Sequence, residues 1–345
     1  MSVPDARPVT GAAPLPSRPD RRALRAAIGI VVSIVCLAIA VRGVDPAQTA
    51  EVLAGARLPL VGLGVLLVAV DVCVRARRWQ VLLRPVRLLP YGPVLRCTSV
   101  GFLANAVLPA RLGEIVRSVL LGREQDLSRS TVLGTVIVER VLDMAVLALL
   151  GTSAVLALGV HGAAEEAAIA GLILALALAG LITGAVILRT VPLPAVVARV
   201  AARRPGLAGL AARLQEGLVV AADRRALTGG LLLSALAWAI GVGTWLAGSA
   251  ALGVSLDLPE AVLATTAVSL VTAIPSGPGY VGSFELAAVA VLGLFGIDPA
   301  TALGVGILVH AMILGVTVAG GTLALAGPPL RRRLGHASLA GESAR

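Results

Sequence analysis

Three short stretches of this sequence place ionisable side chains and helix breakers inside otherwise apolar runs. The first is NAVLPARLGEIVRSVLL, residues 105–121, with Asn105, Pro109, Arg111, Gly113, Glu114 and Arg117. On a helix starting near Pro109, Glu114 lies three positions from both Arg111 and Arg117, so all three share a face. The second is VERVLD, residues 138–143. Its Glu139 and Asp143 are four apart on one face, and Arg140 can pair with Asp143 three positions on. The third is IPSGPGYVGSFE, residues 274–285. Pro275 and Pro278 remove backbone donors, and Gly279 and Gly282 let another backbone approach closely. A helix that restarts near Tyr280 or Val281 then presents free N–H groups, with Glu285 in its first turns.

These residue types suit the binding of a charged group without catalysis. Arg111, Arg117 and the helix N-terminus after Pro278 can hold an anion. Glu114, Glu139 and Glu285 can balance the arginines or bind a cation. Each ionisable residue at the centre of a bilayer costs about 2.5–3.5 kcal/mol on insertion scales, so such residues carry a functional expectation. The plainer alternatives stay open. The first stretch could sit at the membrane interface, the second could be a salt-bridged helix start, and the third a proline kink. GPGYVG has the G-x-G-x-x-G form of a dinucleotide loop, but its flanks read as apolar helix and not as a strand–helix unit. Asp71 and Arg75 read as a structural pair. Arg75, Arg77, Arg78 and Trp79 read as an interfacial anchor able to meet lipid phosphates. His310 can carry a proton or make a helix–helix hydrogen bond. No cofactor, metal site or catalytic residue is expected: His161, His310 and His336 are scattered, and Cys36, Cys73 and Cys97 read as small buried apolar residues.

The elements that position these residues follow from composition. The chain is 57% hydrophobic and only 14% charged. That is too little charge to cover the outside of a soluble domain of this length, and near-bilayer-length apolar segments recur. The expectation is an all-α polytopic membrane protein. The net charge is +10, and all 29 basic residues are arginine. The arginines fall in loops between apolar segments, which is the positive-inside pattern and argues against nucleic acid.

Six spans are expected, at 24–41, 58–74, 130–158, 167–188, 229–252 and 300–326. Residues 1–23 and 331–345 read as cytoplasmic tails, with Arg21, Arg22 and Arg25 before a retained first anchor. The loop 75–87 and a cytoplasmic loop 189–228, amphipathic or simply solvated, fall inside. The alternation closes only if 94–121 dips in from the cytoplasm and 260–297 from outside. Each is thus expected to be a re-entrant helical hairpin, one in a first repeat (24–158) and one in a second (159–330). That is an inverted repeat, common in secondary transporters.

With RARRWQVLL upstream, the ordered set NAVLPARLGEIVR, VERVLD and IPSGPGYVGSFE resembles the lysylphosphatidylglycerol synthase transmembrane region, or flippase-like domain, over roughly residues 25–330. The resemblance implies a membrane domain that moves an anionic or aminoacylated phospholipid, or a polyprenyl-linked lipid, across the cytoplasmic membrane. It also implies the site positions Asn105, Pro109, Arg111, Gly113, Glu114, Arg117, Glu139, Arg140, Asp143, Pro275, Pro278, Gly279, Gly282 and Glu285. No separate soluble synthase domain is expected, so making the lipid is not implied. Expected partners are a membrane phospholipid or lipid-linked substrate, with a second copy of the chain or an envelope-biosynthesis protein possible. The competing expectations are an ion-coupled small-solute transporter, a lipid-acting enzyme, and a non-transporting partner in a glycolipid or cell-envelope pathway. A lipid path would need a lateral opening between helices.

Overall fold

The computed structural model describes residues 21–108, 112–160, 162, 166, 223–272 and 277–327. Among them there are ten α-helices and no strand. They are α1 (Arg21–Ala40), α2 (Pro46–Ala54), α3 (Leu58–Leu83), α4 (Tyr91–Val107), α5 (Gly113–Gln125), α6 (Arg129–Leu158), α7 (Arg224–Ala251), α8 (Leu258–Val271), α9 (Ser283–Gly293) and α10 (Pro299–Ala326). A single 3₁₀ turn, Pro278–Tyr280, lies between α8 and α9.

Four of these helices are long and apolar enough to cross a membrane: Leu58–Leu83, Thr131–Leu158, Arg224–Ala251 and Pro299–Ala326. At 1.5 Å per residue each exceeds the roughly 30 Å of a hydrocarbon core. Their starts are written in the sequence. Asp223 accepts hydrogen bonds from the Arg225 and Ala226 N–H groups, and Asp298 from those of Ala300 and Thr301, with Pro299 opening α10. α6 stops at Gly159, whose φ of +61° is left-handed.

The predicted spans need adjusting at several points. α3 does not end at residue 74 but runs through RARRWQVLL to Leu83, because nothing in that stretch breaks a helix. α7 begins at Arg224, inside the predicted loop, because Asp223 caps it there. The short helix α2 was not expected; Asp45 caps it, and its Thr49 hydroxyl donates to the carbonyls of Asp45 and, on α10, Ala300. The predicted span 167–188, the loop residues 189–222, residues 1–20 and 328–345, and the site positions Pro109, Arg111 and Pro275 lie outside the described residues.

α4 and α5 pack back on each other, as do α8 and α9. The first fold-back depends on two glycines. A Cβ on Gly113 would sit 1.9 Å from the Gly101 carbonyl oxygen, and one on Gly101 2.9 Å from the Arg117 Cβ. Only bare backbone lets the helices approach this closely, the small-residue contact that membrane helices use. The turn is tied by the Asn105 side chain, whose Oδ1 accepts from the Gly113 N–H at 2.8 Å. The second fold-back turns through Gly279 (φ +65°) and Gly282 (φ +89°). Its Gly277 N–H donates to the Ser33 hydroxyl of α1. The two tips touch: a Cβ on Gly279 would lie 3.3 Å from the Ala106 carbonyl oxygen at the end of α4.

Two apolar cores flank this meeting point. One gathers Trp79, Leu83, Val94, Leu121, Val132 and Val136 from α3 to α6. The other gathers Trp245, Phe284, Leu292, Val305, Val309 and Met312 from α7, α9 and α10. Leu66, Leu149, Leu156, Leu232 and Leu323 face outward. So many exposed leucines on long helices suit a hydrocarbon surround.

Candidate functional site

Among the described residues, α3, α5 and α6 bring eight ionisable side chains into one network beside the first tip. Asp71, Arg75 and Arg78 lie on one stripe of α3 at spacings of four and three. Arg78 and Asp143 are both 0% exposed. Arg78 reaches Asp143 through both of its terminal nitrogens, at 2.5 and 3.2 Å, and Glu139 at 2.9 Å. It also donates to Ser234 Oγ at 2.8 Å. Arg117 forms a second fork on Glu139, at 2.8 and 3.3 Å, and lies over the Trp79 ring at 4.6 Å. Arg140 lies 2.9 Å from Glu114, 3.3 Å from Glu139 and 3.5 Å from Asp143. Arg75 pairs with Asp71 at 2.7 Å and covers the Trp238 ring at 4.7 Å; Trp238 in turn donates to Asp143 at 3.0 Å.

Four arginines (75, 78, 117, 140) thus meet four carboxylates (71, 114, 139, 143). The set is neutral, which is what lets it be buried at all, since an unpaired charge there would cost several kcal/mol, roughly. It divides into two layers. Arg78, Arg117, Glu139 and Asp143 are sealed in protein. Asp71, Arg75, Glu114 and Arg140 are partly open and line a cavity. The Arg140 side chain is 31% exposed.

That cavity, about 270 Å³, is bounded by both tips. Asn105, Ala106 and Glu114 close it from the first, Tyr280 and Phe284 from the second. Trp238, Thr265, Ser269, Thr272 and His310 complete a wall of mixed polarity. Beside it, an apolar groove of about 530 Å³ runs between α3, α4 and α10. Val72 lines both spaces.

On the far side of the cavity, His310 of α10 meets the second tip. Its Nδ1 lies 2.6 Å from Glu285 Oε1 and its Nε2 2.8 Å from the Gly279 carbonyl oxygen. The imidazole stacks on Phe284 with centroids 4.2 Å apart.

Several sequence expectations change against this geometry. Glu114 and Arg117 do not pair within their own helix; each pairs across to α6, Glu114 with Arg140 and Arg117 with Glu139. Arg117 faces into protein and does not line the cavity, so it holds Glu139 in place and is not open to a ligand. Arg78 and Trp79 are fully buried and form no interfacial anchor; only Arg77 of that group is exposed. Glu285 balances no arginine but pairs with His310. The helix after the second tip starts at Ser283, and the Gly282 N–H at its entry is already taken by Glu285 Oε2 at 2.6 Å. That donor is therefore not free for an anion. Gly279 gives its carbonyl to His310, and Gly282 gives α1 room: a Cβ there would sit 2.2 Å from the Ser33 carbonyl oxygen. Of the cysteines only Cys97 is buried, while Cys73 is exposed. Asp71–Arg75 pairs as expected.

The residue sequence reasoning missed at the centre is Arg78. The signal was available: Asp71, Arg75, Arg78 and Leu82 recur at helical spacing, and Arg77 falls off that stripe.

Residues 26–321 match the family model of the lysylphosphatidylglycerol synthase TM region. The chain belongs to that family. It is a multi-pass helical membrane protein. The glycosyltransferase AglD of Haloferax volcanii is similar to it, with 28% identity over 331 residues, covering 85% of this chain and 53% of that protein. The chain spans about half the length of that relative.

Proposed function

We propose that this member of the lysylphosphatidylglycerol synthase TM family translocates a lipid with a charged head group across the cytoplasmic membrane. An anionic or aminoacylated phospholipid, or a polyprenyl-linked lipid, has the required chemistry. The observation that carries the reading is the cavity between the two tips. One of its walls carries both signs of charge, and an apolar groove shares its Val72 wall. A head group needs the first and an acyl or prenyl chain the second; a free solute needs no groove. Arg75 and Arg140 meet the anionic part of the head group, and Asp71 and Glu114 any cationic part. The two fold-backs act as re-entrant hairpins entering from opposite faces, in two inverted repeats, with the termini cytoplasmic. No step is enzymatic.

The test is movement of a fluorescent head-group analogue across proteoliposome bilayers. Arg140→Ala with Glu114→Ala removes one open ion pair and keeps the four sealed residues and their mutual bridges, at the loss of Arg140's two longer contacts to Glu139 and Asp143. Unchanged translocation in that double variant would sink the assignment.

One finding favours a second reading, a non-transporting membrane partner in a lipid-linked sugar pathway: the similar Haloferax volcanii protein is named a glycosyltransferase. On that reading proteoliposomes holding the purified protein alone move no lipid, yet the cavity still binds one.

A further inference from the structure

We propose that Glu285 and His310 form a proton-binding site on the cavity wall, loaded in this conformation and emptied when the Pro278–Tyr280 turn parts from the first tip. A backbone carbonyl only accepts, so the 2.8 Å contact from His310 Nε2 to the Gly279 oxygen requires a hydrogen on Nε2. The 2.6 Å contact between Nδ1 and Glu285 Oε1 requires another, on one atom or the other. With the hydrogen on nitrogen the pair is imidazolium and carboxylate; with it on oxygen, neutral imidazole and neutral acid. Either way the pair is neutral and holds one proton more than a carboxylate facing a neutral imidazole. When that proton leaves for the cavity, the pair becomes singly negative and one N–H remains for two acceptors, the Glu285 carboxylate and the Gly279 carbonyl. The carboxylate is the stronger acceptor, so the hydrogen stays on Nδ1 and the bare Nε2 opposes the Gly279 oxygen. That second contact must then open.

The two partners are not equally free to move. Glu285 is pinned by the Gly282 N–H on its other oxygen. His310 has no such second anchor beyond the stack on Phe284 and the Gly279 carbonyl itself. The imidazole therefore stays with the pinned carboxylate, and Gly279 loses the bond that holds its left-handed turn near Ala106.

The other ionisable groups facing this space are already paired: Asp71 with Arg75 on α3, and Glu114 on α5 with Arg140 on α6. Tyr280 faces it from the turn. Among the described residues, the polar groups that α4, α7 and α8 bring to this space are neutral: Asn105, Trp238, Thr244, Thr265, Ser269 and Thr272. α1 contributes the neutral Ser33, bonded to Gly277, and the Glu51 of α2 is exposed. Among the described residues, His310 on this wall and Glu285 behind it are thus the pair that can gain or lose a proton without breaking an arginine–carboxylate bridge.

That the proton is coupled to lipid movement rests on the function proposed above; the proton site itself does not. The experiment labels Ala106→Cys with a thiol reagent across a pH series, in the full chain carrying Cys36→Ala and Cys73→Ala. Rates are normalised to an exposed Leu58→Cys control. Loss of one proton on raising pH changes the ratio of parted to joined tips by about tenfold per pH unit below the transition, so normalised labelling climbs accordingly. Glu285→Gln keeps both bonds without the proton, its amide donating to His310 and its oxygen accepting from Gly282. Labelling of that variant stays low and flat, and so does proton release on alkalinisation. A pH response in Glu285→Gln equal to that of the parent overturns the proposal, as does a flat parent. A switching tip in a protein that moves no lipid leaves the proton site standing and removes the translocator reading. Lipid movement with a flat tip does the reverse.

Discussion

Arg78 of α3 and Asp143 of α6 face each other in a two-point contact, 2.5 and 3.2 Å long, with neither side chain reached by solvent. This fork joins the first pair of membrane-length helices and holds Asp143 where Trp238 and Arg140 also use it. Arg78→Ala leaves two carboxylates buried without their common partner. Removing one member of a buried pair costs about 3–5 kcal/mol, so the thermal midpoint in detergent falls sharply. Arg78→Lys restores the charge but not the fork, and recovers only part of the loss.

Arg117 and Arg140 separate structure from function. Arg117→Met loses stability because Glu139 keeps a charge that Arg117 shared. Arg140→Ala removes a partly open cation whose nearest partner, Glu114, also faces the cavity, while Glu139 keeps Arg78 and Arg117 and Asp143 keeps Arg78, so the thermal midpoint falls less than in Arg117→Met. Its effect falls on the substrate: a hydrogen bond to a charged group is worth about 1.5–3 kcal/mol, or roughly tenfold to a hundredfold in rate. Parallel melting curves and translocation rates for the two variants check this split.

The first tip depends on bare backbone. Gly113→Ala puts a Cβ 1.9 Å from the Gly101 carbonyl oxygen, and the nearest atom is backbone that cannot swing aside. Overpacking of this kind costs about 1–3 kcal/mol or more. Asn105→Ala removes the acceptor for the Gly113 N–H and costs about 1 kcal/mol. Melting curves should therefore place Gly113→Ala below Asn105→Ala, and both below the parent.

The breaks and charged stretches of this protein were legible because local chemistry writes them: LPARLG and PSGPGYVG announce two interruptions of apolar helix. Several helix ends were not: the expected spans end α3 at 74, begin α7 at 229 and omit α2. Partner choice was not legible. Glu114 has Arg117 three residues away, a sound local pair, yet tertiary packing sends each to α6. RARRWQ offers four candidates for an interface, and only burial decides that Arg78 turns inward and Arg77 outward. His310 and Glu285 lie 25 residues apart on different helices, and no local spacing links them.

The second tip should be as intolerant as the first. Gly282→Ala meets two penalties at once, a φ of +89° and a Cβ 2.2 Å from the Ser33 carbonyl oxygen. A left-handed or related strained conformation alone costs about 1–3 kcal/mol for a residue with a side chain. α1 must shift away from α9 to admit the methyl group. A disulfide or short crosslink placed between α1 and α9 should form in the parent and fail in Gly282→Ala.

The most direct measurement is head-group translocation in proteoliposomes, comparing the parent with the Glu114→Ala, Arg140→Ala double variant under conditions where both melt alike. The account predicts rapid exchange of the labelled lipid in the parent and a rate near that of protein-free vesicles in the variant. Equal rates in the two would contradict passage through the cavity between the tips.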